Sequence, residues 1–171
     1  CVPVENVDKL SQAEIIDVVR EAGIVGMGGA QFPTHIKLSL PPNVKVDTLL
    51  VNGAECEPYL TADHRLMVER PKEVVRGTQI LMKAVGVSRA VIGVEDNKPD
   101  AVEALRRAVS DASAGEAIEV TAVRTHYPQG SDMHLIKSAL GREVAPGCLP
   151  FSVGVVVNNV GTAVAVADRF D

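Results

Sequence analysis

Four short runs of β-branched and aliphatic residues, each followed by a stretch of helical period, constrain this chain more than any other feature. The runs centre on Leu49–Val51, Ala90–Val94, Ile118–Val123 and Val153–Val157. Between them the helical stretches are punctuated by proline and glycine: one runs from Pro71 to Gly86, one opens at Pro99, and one, "SDMHLIKSALG", closes at Gly141. Proline suits a first helical turn, where its missing N–H leaves nothing unmade, and glycine suits the left-handed residue past a helix end. Upstream, Ser11 and Glu14 stand in capping-box register at the head of an amphipathic helix that stops at Gly23, and "VGTAVAVADRF" starts a last helix after the fourth strand. Strands alternating with helices build βαβ units with right-handed crossovers. The expected fold is therefore α/β and Rossmann-like, a mostly parallel sheet with helices on both faces, in a single domain over residues 1–171.

Composition supports a buried parallel sheet. Hydrophobic residues make up 46% of the chain but aromatics only 3%, so the core is built from Val, Ile, Leu and Ala. A formal net charge of −5 without a basic run argues against nucleic acid as a partner. Cys1, Cys56 and Cys148 have neither disulfide-framework nor metal-ligand spacing, and His35, His64, His126 and His134 lack it too, so no metal site is expected. No apolar run approaches the ~20 residues of a membrane helix and no signal-peptide pattern opens the sequence, which implies a soluble domain. The first residue is Cys1 rather than Met, as expected of an excerpt from a longer chain. "VERPKEVVR" reads as a solvated helix face with i,i+4 ion pairs.

In open α/β sheets ligands bind beyond the carboxyl ends of the strands. Three such ends carry polar or flexible residues here, "NGAECEP", "EDNKPD" and "NNVGT", and they should converge on one rim. A fourth candidate is "GIVGMGGAQFPTHIKL", which packs four glycines into seven residues. It fails the G-x-G-x-x-G fingerprint, because Gln31 occupies the third glycine position and the loop follows a helix instead of a strand. It fails the phosphate-loop pattern as well, having no Gly-Lys-Ser or Gly-Lys-Thr. Bare backbone of this kind either lies against a planar ring or a phosphate, or makes a tight turn where helix meets sheet. Asn158 and Asn159 have two readings as well, as ligand groups or as strand terminators.

These segments, together with "LLVNGAECEPYLTADHRLM", "GVEDNKP", "YPQG" and "VVVNNVGTA", resemble the C subunit of the Rnf type of electron-transport complex, from about Ser11 to Ala167. They are similar, more distantly, to the flavin-binding, NADH-oxidising subunit of respiratory complex I. The resemblance implies a Rossmann-like domain that holds FMN non-covalently and takes NADH as substrate, with electrons passing to iron–sulfur clusters in parts of the subunit outside this sequence. It implies as partners NADH or NAD, the other subunits of a membrane complex and, indirectly, ferredoxin. The place implied is peripheral, on the cytoplasmic side of the bacterial inner membrane.

Carried over motif by motif, the resemblance puts Gly26 and Gly28 against the flavin and Lys37 at its phosphate or ribityl side. Asn52, Glu55 and Cys56 line the flavin, Gly130 and Asp132 add a further part of the nucleotide site, and Asn158, Asn159 and Thr162 hold the phosphate and ribityl chain. Phe32 and Glu57 fall near the nicotinamide. Hydride transfer needs no general base, so the glutamates are expected to accept hydrogen bonds from sugar hydroxyls, and no residue is expected to be catalytic in the acid–base sense. Two departures stand out: Gln31 replaces the glycine usual in relatives, and Asp132 replaces a longer Glu. A docking module with a decayed flavin site, and a flavoprotein module like that of cobalamin reductases, remain as other readings.

Overall fold

The computed structural model describes residues 7–115 and 117–171, so Cys1 lies outside the described residues. Its centre is a four-stranded, fully parallel sheet of β1 (Thr48–Gly53), β2 (Arg89–Glu95), β3 (Ile118–Val123) and β4 (Val155–Asn159), in the order β3-β2-β1-β4. Every residue of β1 is buried, as expected of a central strand, while β3 alternates buried and exposed positions at its edge. β4 is also an edge strand in pairing, yet all of it is buried. Helix α2 (Thr34–Leu38) and the turn at Pro150–Val153 flank it, and Lys37 Nζ donates to the Val157 carbonyl at 2.9 Å. A lysine on an edge carbonyl is one of the ways proteins blunt an open sheet edge.

The connections explain which face each helix covers. From β1 to β2 to β3 the chain steps outward in one direction through α3 (Ala62–Glu69), α4 (Pro71–Val85) and α5 (Pro99–Asp111). From β3 to β4 it returns across the sheet through α6 (Asp132–Leu140). If crossovers keep one hand, reversing direction puts the return helix on the opposite face. Accordingly Leu135 and Ile136 of α6 pack on Leu50, Val91, Val155 and Val157. On the other face α4 and α5 are joined by α1 (Gln12–Glu21) and α7 (Val160–Phe170), over Leu49, Val51, Ile92 and Val156.

Most expected element ends fall where the sequence puts them. Ser11 and Glu14 form the reciprocal capping box of α1, with Ser11 N–H donating to Glu14 at 2.8 Å. Pro71 and Pro99 open α4 and α5, and Gly86 and Gly141 are left-handed caps at φ 80 and 67. Two helices lie outside those signals. α2 has five residues and no side-chain cap. α3 likewise has no cap from Thr61; its first turn is capped from a distance by Glu55, which accepts the N–H of Asp63 at 2.9 Å and of His64 at 3.1 Å. The expected solvated face at "VERPKEVVR" is only partly that. Arg65 and Glu69 form an i,i+4 pair, but Arg70 reaches Glu73 and, across the structure, Asp168 of α7.

α4 and α7 approach closely at Gly77. A Cβ there would lie 1.8 Å from the Ala163 carbonyl oxygen, so no side chain fits without separating the helices. Gly77→Ala is expected to destabilise the fold by more than about 2 kcal/mol, as overpacking against backbone does. Urea unfolding of the two proteins checks this; equal midpoints would show that the helices close without the contact.

Candidate functional site

The pairing order reverses between β1 and β4, and there the sheet opens a crevice. In the register of the two strands Asn52 stands opposite Asn159 and Val51 opposite Asn158, so three asparagines meet at the carboxyl rim. Of the three strand ends expected to converge, those after β1 and β4 meet in a crevice, while the end of β2 lies beside it, Glu95 accepting the Glu55 N–H at 3.2 Å, and lines neither cleft described next. A narrow cleft of about 100 Å³ is walled by Gly26, Gly28, Phe32 and Lys37 on one side, Asn52, Gly130 and Asp132 on another, and Asn158, Asn159 and Thr162 at its floor. A wider cleft of about 380 Å³ continues from it past Gly28, Asn52, Gly130 and Asn159 to Glu55, Cys56 and Glu57. All the residues singled out by motif therefore line one continuous depression.

The glycine loop is both a turn and a wall. Gly26 N–H bonds the Phe32 carbonyl at 2.8 Å and Thr34 N–H bonds the Ile24 carbonyl at 3.1 Å, closing the loop on itself. Met27 N–H then donates to Thr162 Oγ1 at 3.0 Å, docking the loop on α7, and a Cβ on Gly28 would sit 3.4 Å from Asn159 Cβ. Gln31 adopts φ 51. That is the left-handed region, which suits the glycine expected there and costs an ordinary residue roughly 1–2 kcal/mol.

Most of the asparagine and cysteine groups are committed to neighbouring segments. Asn52 Nδ2 donates to the Gly130 carbonyl at 2.8 Å and its Oδ1 accepts Ala54 N–H at 3.0 Å. Cys56 Sγ accepts the Gly130 N–H at 2.8 Å, and a Cβ on Gly130 would fall 2.7 Å from that sulfur. Asn159 caps α7 through Gly161 N–H at 2.7 Å and donates to Asp63 at 2.6 Å. Glu55 also has a structural part: its two carboxylate oxygens accept the N–H groups of Asp63 and His64 at the head of α3. Glu57 and Phe32 are exposed at the mouths of the clefts.

One donor in the crevice has no partner. Among the described residues, the buried side-chain atoms without a hydrogen bond are Thr34 Oγ1, Gln129 Nε2 and Asn158 Nδ2, and Asn158 lines the narrow cleft with the N-terminus of the 11-residue α7 beside it. A buried amide left unpaired costs about 1–3 kcal/mol, so the position fits a bound acceptor. Lys37, with one N–H on Val157, has two more to offer. Such a donor set, with bare glycine backbone, suits the carbonyl, hydroxyl and phosphate oxygens of a flavin nucleotide.

The sequence motifs do not single out Asp63, Glu95 or Lys98. Glu95 and Lys98 form a buried ion pair at the end of β2, and Glu95 also accepts Glu55 N–H at 3.2 Å. Burial in the wider cleft, with Glu55 and Glu57 adding repulsion, pushes the Asp63 carboxyl up to about 6, against the Asn159 hydrogen bond and the Lys98 charge. No local pattern marks Asp63, because its partner lies 96 residues away. Among the described residues no group of histidine, cysteine and acidic side chains is placed to hold a metal. Nor is any described helix long and apolar enough to cross a membrane.

A parallel α/β sheet with a glycine-walled, amide-floored crevice at its switch point defines a nucleotide-binding domain of the doubly wound class. Residues 19–168 match the Nuo51 FMN-binding domain, and the chain belongs to that family. It is 52% identical over 97% of its length to the C subunit of the proton-translocating ferredoxin:NAD(+) oxidoreductase complex of Clostridium ljungdahlii. It is 51% identical to the C subunit of the Na(+)-translocating complex of Acetobacterium woodii, again over 97% of its length. The chain spans 35% and 37% of those two relatives. Among solved structures, an NAD+-reducing [NiFe]-hydrogenase in the H2-reduced state contains a chain that superposes with a TM-score of 0.81 at 28% identity, over 99% of this chain and 33% of that one.

Two outcomes follow for stability. Gln31→Gly is expected to be neutral or stabilising, since relief of the left-handed backbone offsets the glycine entropy cost of roughly 0.5–1 kcal/mol, while Gln31→Val should cost more than about 1 kcal/mol. Urea midpoints decide it, and a destabilising Gln31→Gly would show that the side chain supports the loop. For Asp63, a folded pKa above the unfolded one contributes stability that is full below the unfolded value and lost as pH rises through the folded value. The wild type should therefore lose stability through this group between about pH 4 and pH 6, from 3.8 to about 6 in its pKa. Asp47, Asp96 and Asp100, held below the ordinary range by hydrogen bonds from Thr48, Thr125 and His64, act in the opposite sense at lower pH. Asp63→Asn should flatten the profile from about pH 4 to pH 6; an unaltered profile would mean an ordinary carboxyl.

Proposed function

We propose that this chain is the FMN- and NAD(H)-binding module of the C subunit in an Rnf-type ion-translocating ferredoxin:NAD oxidoreductase complex. The observation that carries the proposal is the buried, unpartnered Asn158 amide in the crevice floor between β1 and β4. Family membership and the names of the relatives agree with it. Other subunits of the complex are its partners, with ferredoxin an indirect one. Its place is peripheral, on the cytoplasmic side of the bacterial inner membrane, and the iron–sulfur clusters belong to other parts of the subunit.

When bound, FMN supplies an acceptor for the two electrons of a hydride and a means of releasing them singly. The protein's part is to bind, orient and exclude water. Asn158 donates to a flavin oxygen, Lys37 supplies a charge for the phosphate, and the backbone at Gly26 and Gly28 leaves room for the flavin nucleotide to approach. Asn52, Cys56, Gly130, Asn159 and Thr162 hold the walls at fixed separation, which keeps the geometry set before any ligand arrives. Asp132, in the first turn of α6, and Thr162 face the same narrow cleft. Phe32 offers an exposed aromatic face to the nicotinamide, and Glu57 an acceptor at the outer cleft.

Titration of the purified chain with FMN, followed by flavin fluorescence, tests the proposal. FMN is expected to bind at one per chain and more tightly than FAD, and anaerobic NADH should bleach the bound flavin. Asn158→Ala should weaken FMN by roughly 1–3 kcal/mol with circular dichroism unchanged. Equal affinity for FMN in that variant would remove Asn158 from the site, and preference for FAD would count against a terminal phosphate in the crevice.

A further inference from the structure

Asp63 occupies the first turn of α3, in the wall of the wider cleft, and accepts from Asn159 Nδ2 at 2.6 Å. Asn159 is at once the last residue of β4 and the N-cap of α7, with its Oδ1 accepting Gly161 N–H at 2.7 Å. An amide has a donor end and an acceptor end, whereas an ionised carboxylate only accepts. Reversing the Asn159 amide would set oxygen against carboxylate and NH2 against N–H, so Asp63 and the Gly161 N–H together fix which way the amide lies. The Asp63 charge also stands one side chain away from the positive end of α7, where an anion is favoured.

We infer that Asp63 is a positioning residue of the crevice: it orients Asn159, and its ionisation lowers the affinity of the crevice for an anionic ligand. The inference rests on the reading that the ligand is FMN. The groups facing Asp63 are Glu55 and Glu57 from the loop after β1, Lys98 from the start of α5 and Asn159 from α7. His64, the next residue of α3, is engaged by Asp100 at 2.9 Å. Burial and the two glutamates resist ionisation and Lys98 and Asn159 favour it, leaving a carboxyl that titrates at about 6. Coupling is reciprocal: whatever anion the crevice holds favours the neutral acid, and the neutral acid favours the anion.

The test measures FMN dissociation constants for the wild-type chain, Asp63→Asn and Asp63→Ala from about pH 5 to pH 8, with riboflavin, which lacks the phosphate, as a neutral probe. The FMN phosphate itself titrates near pH 6, so the quantity read is the ratio of wild type to variant at each pH. Asp63→Asn keeps an acceptor oxygen toward Asn159 but carries no charge. For FMN, the ratio of wild-type to Asp63→Asn dissociation constants is expected near unity at about pH 5 and about threefold or higher by pH 8, and flat with riboflavin. Asp63→Ala, which leaves Asn159 without its partner, should bind FMN more weakly than Asp63→Asn at every pH. A flat FMN ratio, or equal binding by the two variants, overturns the inference and leaves the flavin reading standing. If neither probe binds any of the proteins while circular dichroism shows them folded, the flavin reading itself fails, and the inference with it.

Discussion

The parallel pairing of β4 with β1 is the contact on which the rest of the structure depends. It brings the returning chain to the far side of the first strand, forces α6 onto the opposite face from α4 and α5, and sets Asn52 against Asn159. The segments leaving β1 and β4 then diverge and leave the crevice between them. Tight packing of α4 on α7 at Gly77 holds β4 and its following helix in register with the main core. A site built on strand ends inherits the rigidity of the sheet.

The fold was legible in the sequence because its signals are local. Aliphatic runs, proline at first turns, glycine at helix ends and the Ser11–Glu14 box each act within a few residues, and the structure has them at those places. Helix α3 was not legible for the complementary reason. Its cap is Glu55, eight residues before Asp63 and nine before His64, and no local cap from Thr61 advertises the helix. Helix α2 is too short to carry a periodic signal.

The candidate site was legible as a group of residues that the fold brings together but not as a set of tasks. Motifs named the asparagines, the glycine loop and Cys56, and all of them do line the depression. Which of them has hydrogen-bonding capacity left over depends on partners far along the chain: Asn52 on Gly130, Asn159 on Asp63, Thr162 on Met27. Asn158 was indistinguishable from Asn159 in sequence, yet Asn159 is a helix cap and Asn158 an uncommitted donor. Gln31 shows the opposite case, a residue marked by its departure from a pattern whose physical cause is a backbone angle.

The separations along the chain have a consequence for how the domain assembles. Met27 and Thr162, joined across the crevice, are 135 residues apart, and the Asn52–Gly130 and Asn159–Asp63 bonds span 78 and 96. Contacts of such long range close large loops and are slow to form compared with the helices they connect. The crevice is thus a meeting place of segments far apart in the sequence, and it exists only when the glycine loop, β4 and α7 are in place together. Losing either segment takes away a wall, so the crevice is complete only when the chain from the glycine loop to Thr162 is folded together.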